Sequence, residues 1–167
     1  MRTDGPFTLR SGETSSWYID ARQTTFSGEG ARLCGAAVLA EIPDDVDAVG
    51  GMTMGADPIA VATAIVAAEL NMGLASFSIR KEEKDHGTGG RLVGPIGKGS
   101  RVVAIEDTTT TGSALVEAIS ALHDAGVAVV KAVALVDRSA GAAADRVEAF
   151  GIPYVAIVTP DDLGVEN

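Results

Sequence analysis

Cysteine, aromatic residues and long apolar runs are all scarce in this chain, and each scarcity excludes something. Cys34 is the only cysteine in 167 residues, so no internal disulfide can form and a reducing, cytoplasmic setting is expected. Aromatic residues make up 4% while hydrophobic residues in total make up 46%. The apolar content is therefore mostly Ala, Val, Ile and Leu, which suits helices packed closely on a sheet and excludes a disordered chain. No run of about 18 apolar residues is present, which excludes a membrane-spanning helix. The opening MRTDGPFTLR lacks the apolar stretch of a signal peptide. Basic residues number 13 against 23 acidic ones, for a net charge of −10, which excludes a general nucleic-acid surface. The few cations are bunched: Arg80, Lys81, Lys84, Arg91, Lys98 and Arg101 fall within 22 positions. An acidic protein with one basic segment is suited to a small, highly charged anion. The length predicts one domain over 1–167, large enough for its own core.

Strand and helix signals alternate along the chain. Phe7 to Leu9 and Trp17 to Ile19 read as short strands around the polar turn Arg10 to Ser16. Gly28 to Ala40 reads as a helix with Leu33, Ala36, Ala37 and Ala40 on its apolar face, and Pro43 ends it. Val46 to Gly50 is a short strand. Asp57 is placed as an N-cap with Pro58 at the first helical position. The helix that follows runs to Leu70, with Ile59, Ala62, Val66 and Leu70 near one face. It is apolar almost all round, which predicts burial in the core or against a partner subunit. Leu74 to Ile79 is a strand, and Lys81 to Lys98 is a long charged loop with five glycines. Arg101 to Ile105 is a strand. Ser113 to Ala125 is a helix with Leu115, Ile119 and Leu122 at helical spacing and Gly126 as its stop. Strand, helix and strand follow at Val127 to Val136, Ala142 to Phe150 and Tyr154 to Val158. This alternation predicts a mainly parallel sheet.

The segment Val102 to Ala114, VVAIEDTTTTGSA, concentrates the chemistry. A buried strand runs into two adjacent acids, Glu106 and Asp107, and then into the hydroxyl-rich turn Thr108, Thr109, Thr110, Thr111, Gly112 and Ser113. In open α/β sheets ligands bind beyond the carboxyl ends of the strands, and a helix N-terminus there suits a phosphate. The acids do not suit that phosphate; they suit the hydroxyls of a sugar joined to it. In the basic segment, cations on a glycine-flanked loop suit a leaving group that gains negative charge. GPIGKGS at Gly94 to Ser100 has the wrong spacing for a P-loop and opens no helix. His86, His123 and Cys34 have no metal-ligand spacing, and no Ser-His-Asp arrangement is readable.

VVAIEDTTTTGSA resembles the phosphoribosyl pyrophosphate (PRPP) motif of type I phosphoribosyltransferases. From Phe7 to about Gly164 the chain further resembles the orotate phosphoribosyltransferases of that family. RKEEKDHG, Arg80 to Gly87, is similar to their catalytic loop. FTLRSGETS, Phe7 to Ser15, is similar to their N-terminal orotate segment, with Arg10 where Lys is common; Arg and Lys differ in hydration and geometry. Trp17 and Tyr18 take the place of aromatic residues that line the base. GGMTMGADP, Gly50 to Pro58, resembles the pyrophosphate loop; it lacks a Lys found in one branch, so contact there would rest on backbone groups and Thr53. VDRS places Arg138 where the family reads the substrate carboxylate.

The resemblance implies a doubly wound, mainly parallel α/β fold with a small N-terminal hood over approximately 1–27. It implies transfer of phosphoribose from PRPP to orotate, giving orotidine 5′-monophosphate and pyrophosphate. Mg²⁺ would be the cofactor, held mainly by PRPP and water, with no metal ligand from the protein. Thr108 to Ser113 would hold the 5′-phosphate, and Glu106 and Asp107 would orient the ribose. Arg80, Lys81, Lys84 and His86 would neutralise the leaving group. A homodimer is expected, with loop 80–99 completing the neighbouring site. Family members usually carry a helix before the hood, whereas six residues precede Phe7 here. A phosphoribosyltransferase for another base, or a regulator that only binds PRPP or a nucleotide, stays open at this point.

Overall fold

The computed structural model describes residues 1–8, 14–82 and 90–165. Its centre is a sheet of six strands: β3 (Ala48–Met52), β4 (Ala75–Ile79), β5 (Leu92–Val93), β6 (Arg101–Thr109), β7 (Ala128–Asp137) and β8 (Tyr154–Val158). Their order is β5-β4-β3-β6-β7-β8. All neighbours are parallel except the short edge strand β5, which pairs antiparallel with β4. The helices are α1 (Arg22–Thr25), α2 (Gly28–Leu39), α3 (Ala56–Glu69), α4 (Ser113–Asp124) and α5 (Ala142–Glu148). Ahead of them a two-residue hairpin pairs β1 (Phe7–Thr8) with β2 (Thr14–Ser15).

The alternation of side chains along β6 explains the layers. Val102 and Ala104 point to one face, where they meet Leu115, Ile119 and Leu122 of α4 and Val147 of α5. Val103 and Ile105 point to the other, where they meet Cys34 and Val38 of α2 and Ile59 of α3. Helices thus cover both faces, as a doubly wound sheet requires. Leu115, Ile119 and Leu122 are wholly buried, each contributing about 1.5–3 kcal/mol of apolar burial. Among the described residues no helix is long and apolar enough to cross a membrane.

Several local expectations need correction. β6 runs four residues beyond Ile105, because pairing with β7 continues to Thr109↔Asp137; backbone ladder bonds there outlast the hydrophobic run. The apolar face of α2 is Gly30, Cys34, Gly35, Val38 and Leu39, and Leu33 is 53% exposed. The reason is Gly35, where a Cβ would stand 2.7 Å from the Ala62 backbone. The helices approach through a residue that carries no apolar side chain to read. Asp57 lies in the first turn of α3 rather than at its N-cap, which is Gly55. On α3 the inner residues are Ile59, Ala60, Ala62, Thr63 and Ala67, whereas Leu70 is exposed. The second hairpin strand is Thr14–Ser15, not Trp17 to Ile19, and Tyr18 instead bridges Arg2. The span Lys81 to Lys98 is not all loop, since it contains β5.

Candidate active site

The carboxyl ends of β3 and β6 and the start of α4 enclose a cleft of about 840 Å³. Its walls include Thr53, Met54 and Gly55 after β3, Glu106 and Asp107 on β6, and Thr110, Thr111 and Ser113 beyond it. Arg22, Lys81 and Glu117 complete the rim. The two sequence-predicted acids and the hydroxyl turn therefore open into one space.

The turn divides its hydroxyls between structure and solvent. Thr109 is buried, and its Oγ1 accepts from the Gly112 amide at 2.9 Å, which braces the turn. Thr108 does not line the cleft, and its Oγ1 is buried without a partner among the described residues. Thr110, Thr111 and Ser113 face outward. Thr111 Oγ1 and Ser113 Oγ lie 2.9 Å apart, and Arg146 on α5 donates to Ser113 Oγ at 2.9 Å. Gly112 is the N-cap of α4 and brings no capping side chain, and in the first turn the Ser113 amide donates to Thr111 Oγ1 at 3.4 Å. Amides at such a helix start are open to an anion and lie at the positive end of the dipole.

Burial, and then the neighbouring Asp107, push the Glu106 carboxyl up to about 8. Glu106 Oε2 is buried and has no partner among the described residues. Burial also raises the Asp107 carboxyl, opposed by the Thr108 amide, which donates to Oδ1 at 2.8 Å, and by the charge of Arg22. Gly55 packs directly on this carboxylate: a Cβ there would come within 2.5 Å of Asp107 Oδ1. Thr53 Oγ1 donates to Asp57 Oδ2 at 2.6 Å, which ties the loop after β3 to the first turn of α3. Asp57 Oδ1 is buried and unpartnered.

The basic loop begins on a clamp. The Arg80 amide donates to the Arg91 carbonyl at 2.8 Å, Arg91 Nε donates to the Arg80 carbonyl at 2.7 Å, and the Arg91 guanidinium pairs with Glu117 of α4. Arg80 itself stays off the cleft wall, while Lys81 reaches it and acts electrostatically on Glu106. Lys84 and His86 lie outside the described residues, as does Arg10.

Arg138 sits beside the cleft rather than in its wall. The Arg138 amide donates to the Thr109 carbonyl at 2.8 Å, joining its turn to the hydroxyl loop. Asp137 fixes that turn, accepting from the Ser139 amide at 2.6 Å and the Tyr154 hydroxyl at 2.8 Å. Burial and this bond to Asp137 raise the Tyr154 phenol far above its ordinary range. Arg138 Nη2 donates to Ser15 Oγ at 3.1 Å, and its guanidinium carbon lies 3.8 Å from the Trp17 ring centroid. Tyr18 is 40% exposed and packs on Phe7.

Sequence reasoning missed Arg22, Gly55, Glu117 and Arg146. Arg22 is held at 2.7 Å by Asp20 two residues earlier, a spacing that signals a local turn rather than a site. The others reach the site through packing between elements, which leaves no local pattern.

A family model described as "Phosphoribosyl transferase domain" matches residues 32–166. The orotate phosphoribosyltransferase of Streptomyces avermitilis is 44% identical over 164 residues, covering 97% of this chain and 90% of that one. That of Corynebacterium glutamicum is 43% identical over 162 residues, covering 96% and 86%. Among solved structures, orotate phosphoribosyltransferase of Mycobacterium tuberculosis in complex with Fe(III) dicitrate superposes with a TM-score of 0.83 at 34% identity, covering 96% of this chain and 90% of that one. The same enzyme in complex with PRPP gives 0.77 at 33% identity, with the same coverage.

Proposed function

The chain belongs to the phosphoribosyltransferase family, among its orotate phosphoribosyltransferases, and from that premise we propose how this enzyme carries phosphoribose from PRPP to orotate. The products are orotidine 5′-monophosphate and pyrophosphate. The observation that carries the reading is the shared cleft, with two adjacent acids beside a helix start whose N-cap is glycine and beside outward-facing hydroxyls. A sugar joined to a phosphate satisfies both halves at once.

In this reading the turn from Thr108 to Ser113 holds the 5′-phosphate, with its amides and the hydroxyls of Thr110, Thr111 and Ser113 making the contacts, Thr109 bracing the turn and Thr108 contributing through its backbone. Glu106 and Asp107 orient the ribose hydroxyls. As the bond to pyrophosphate lengthens, positive charge develops on the ribose, and carboxylates close by favour it. Glu106 holds a proton at neutral pH while the cleft is empty, because its carboxyl is pushed up to about 8. An incoming cation or a hydroxyl donor favours its ionised form. Thr53 and the backbone of its loop contact pyrophosphate. Lys81 helps neutralise the leaving group from the cleft wall. Lys84, His86 and Arg80 join it from the loop, and Arg10 and Arg138 bind the base, with Tyr18 at its edge.

The acids also bear on the metal. Among the described residues no three His, Cys, Asp or Glu side chains group to hold an ion. Mg²⁺ is usually bound through one or two carboxylates with substrate phosphates and water making up the rest. Glu106 and Asp107 fit that partial role, so PRPP and water would supply most of the ligands. When bound, Mg²⁺ supplies neutralisation of phosphate charge.

The chain is proposed as one phosphoribosyltransferase domain whose hood precedes α2, working as a homodimer. Val61 and Ile65, one turn apart on α3, are 51% and 56% exposed, and Leu33 on the neighbouring α2 is 53% exposed. Such a face suits a two-fold interface, with loop 80–99 completing the neighbouring site. The test is to mix the protein with orotate, PRPP and Mg²⁺. Orotate absorbance should fall and pyrophosphate should appear in equal amount, and no loss of orotate would overturn the assignment.

A further inference from the structure

Trp17 is the only tryptophan in the chain, and it is 1% exposed. One face of its ring is covered by the Arg138 guanidinium, whose carbon lies 3.8 Å from the centroid. The hydrogen bonds beside it fix the direction of Ser15. The Ser15 hydroxyl donates to the Trp17 carbonyl at 2.8 Å, and its oxygen then accepts from Arg138 Nη2 at 3.1 Å. The turn carrying Arg138 is held from below by Asp137, between the Ser139 amide and the Tyr154 hydroxyl. Among the described residues no carboxylate pairs with Arg138, and its buried Nε has no partner.

We propose that Trp17 is a positioning residue for base recognition, a neutral platform that holds the Arg138 guanidinium in place while leaving its charge free for the substrate carboxylate. The chemistry favours a ring over an acid in this role. A protein carboxylate would fix Arg138 equally well, but an incoming carboxylate would have to displace it. An aromatic face attracts the cation through its quadrupole, indole most strongly, and occupies none of the in-plane N–H groups that grip a carboxylate. Trp17 therefore acts through Arg138 and sets the discrimination between bases with and without a carboxylate. The inference rests on Arg138 being the group that reads the substrate carboxylate.

Two measurements on the full-length enzyme test it. In steady-state assays, Trp17→Leu should raise the KM for orotate about tenfold while changing the KM for PRPP less than about twofold. Trp17→Phe, which keeps a ring, should restore most of the orotate affinity and covers the case in which the leucine variant fails to fold. An unchanged orotate KM, or equal rises in both KM values, would overturn the proposal. The second measurement needs no substrate. Because all indole emission comes from Trp17, Arg138→Ala should change its intensity and anisotropy, and Arg138→Lys should change them less. Unaltered emission in Arg138→Ala would show that the platform contact is absent. If the wild-type protein fails to consume orotate but the emission changes as expected, the contact stands and the orotate reading falls.

Discussion

Replacing Gly55 by alanine should leave the protein folded while crippling turnover. Gly55 has φ −63° and ψ −42°, a conformation alanine adopts freely. Because alanine leaves the unfolded chain fewer conformations, the exchange by itself favours folding by about 0.4–1 kcal/mol. The cost falls on one neighbour. The added Cβ would lie 2.5 Å from Asp107 Oδ1, and ordinary contact begins near 3.4 Å, so the carboxylate must retreat by the difference, roughly 0.9 Å. In doing so it leaves the Thr108 amide that donates to it at 2.8 Å, a loss of about 1 kcal/mol. Gain and loss nearly cancel, so the melting temperature should move by only a few degrees. Catalysis has no such compensation, since a misplacement of about 1 Å in a reacting group can cost about a hundredfold. Thermal melting and kcat/KM for PRPP, measured on the same preparation, separate the two effects. A Gly55→Ala enzyme with unaltered kcat/KM would refute the placement of Asp107 at the ribose; a collapsed melting temperature would refute the local packing argument.

Lys81→Ala and Lys84→Ala should lower kcat far more than they weaken PRPP binding, because the leaving group gains charge only in the transition state. A loss of about 2–4 kcal/mol per lysine is in the range for such a stabiliser, checked by single-turnover rates at saturating PRPP. Mixing Lys84→Ala with Asp107→Asn subunits should recover up to about a quarter of wild-type activity if the loop serves the neighbouring site of a two-fold dimer. No recovery after demonstrated subunit exchange would assign each loop to its own chain. Glu106, with its carboxyl pushed up from 4.5 to about 8, makes the ligand-free protein hold a proton that the unfolded chain releases. Its contribution to stability is therefore complete below about pH 4.5 and is lost as pH rises through about 8. Glu106→Gln should show a smaller fall in melting temperature between pH 5.5 and 8.5 than wild type, and an identical fall would place the titration elsewhere.

The acids and the hydroxyl turn were legible because strand, paired carboxylates and turn are contiguous, so local order along Val102 to Ala114 carries over directly into space. The sheet was legible for a similar reason, since fully buried parallel strands read as short apolar runs. What could not be read depends on close approach between distant segments. Gly35 and Gly55 matter because they lack a side chain, which no hydrophobic pattern records. The position of Trp17 beneath Arg138 joins residues 121 apart in sequence, through a hairpin whose second strand is only two residues long. Strand β6 outran its apolar stretch because its partner continued, and hydrogen bonding in a sheet is set by neighbours as much as by side chains.

Base choice tests the central claim most directly. Orotate carries a carboxylate, whereas uracil, hypoxanthine and guanine do not, and a site built around a cation rejects a ligand that leaves its charge unpaired. With PRPP and Mg²⁺ held constant, kcat/KM should be highest for orotate and almost nil for the other three bases, and Arg138→Ala should narrow the gap chiefly by weakening orotate. Faster turnover of uracil or of either purine than of orotate would contradict the account.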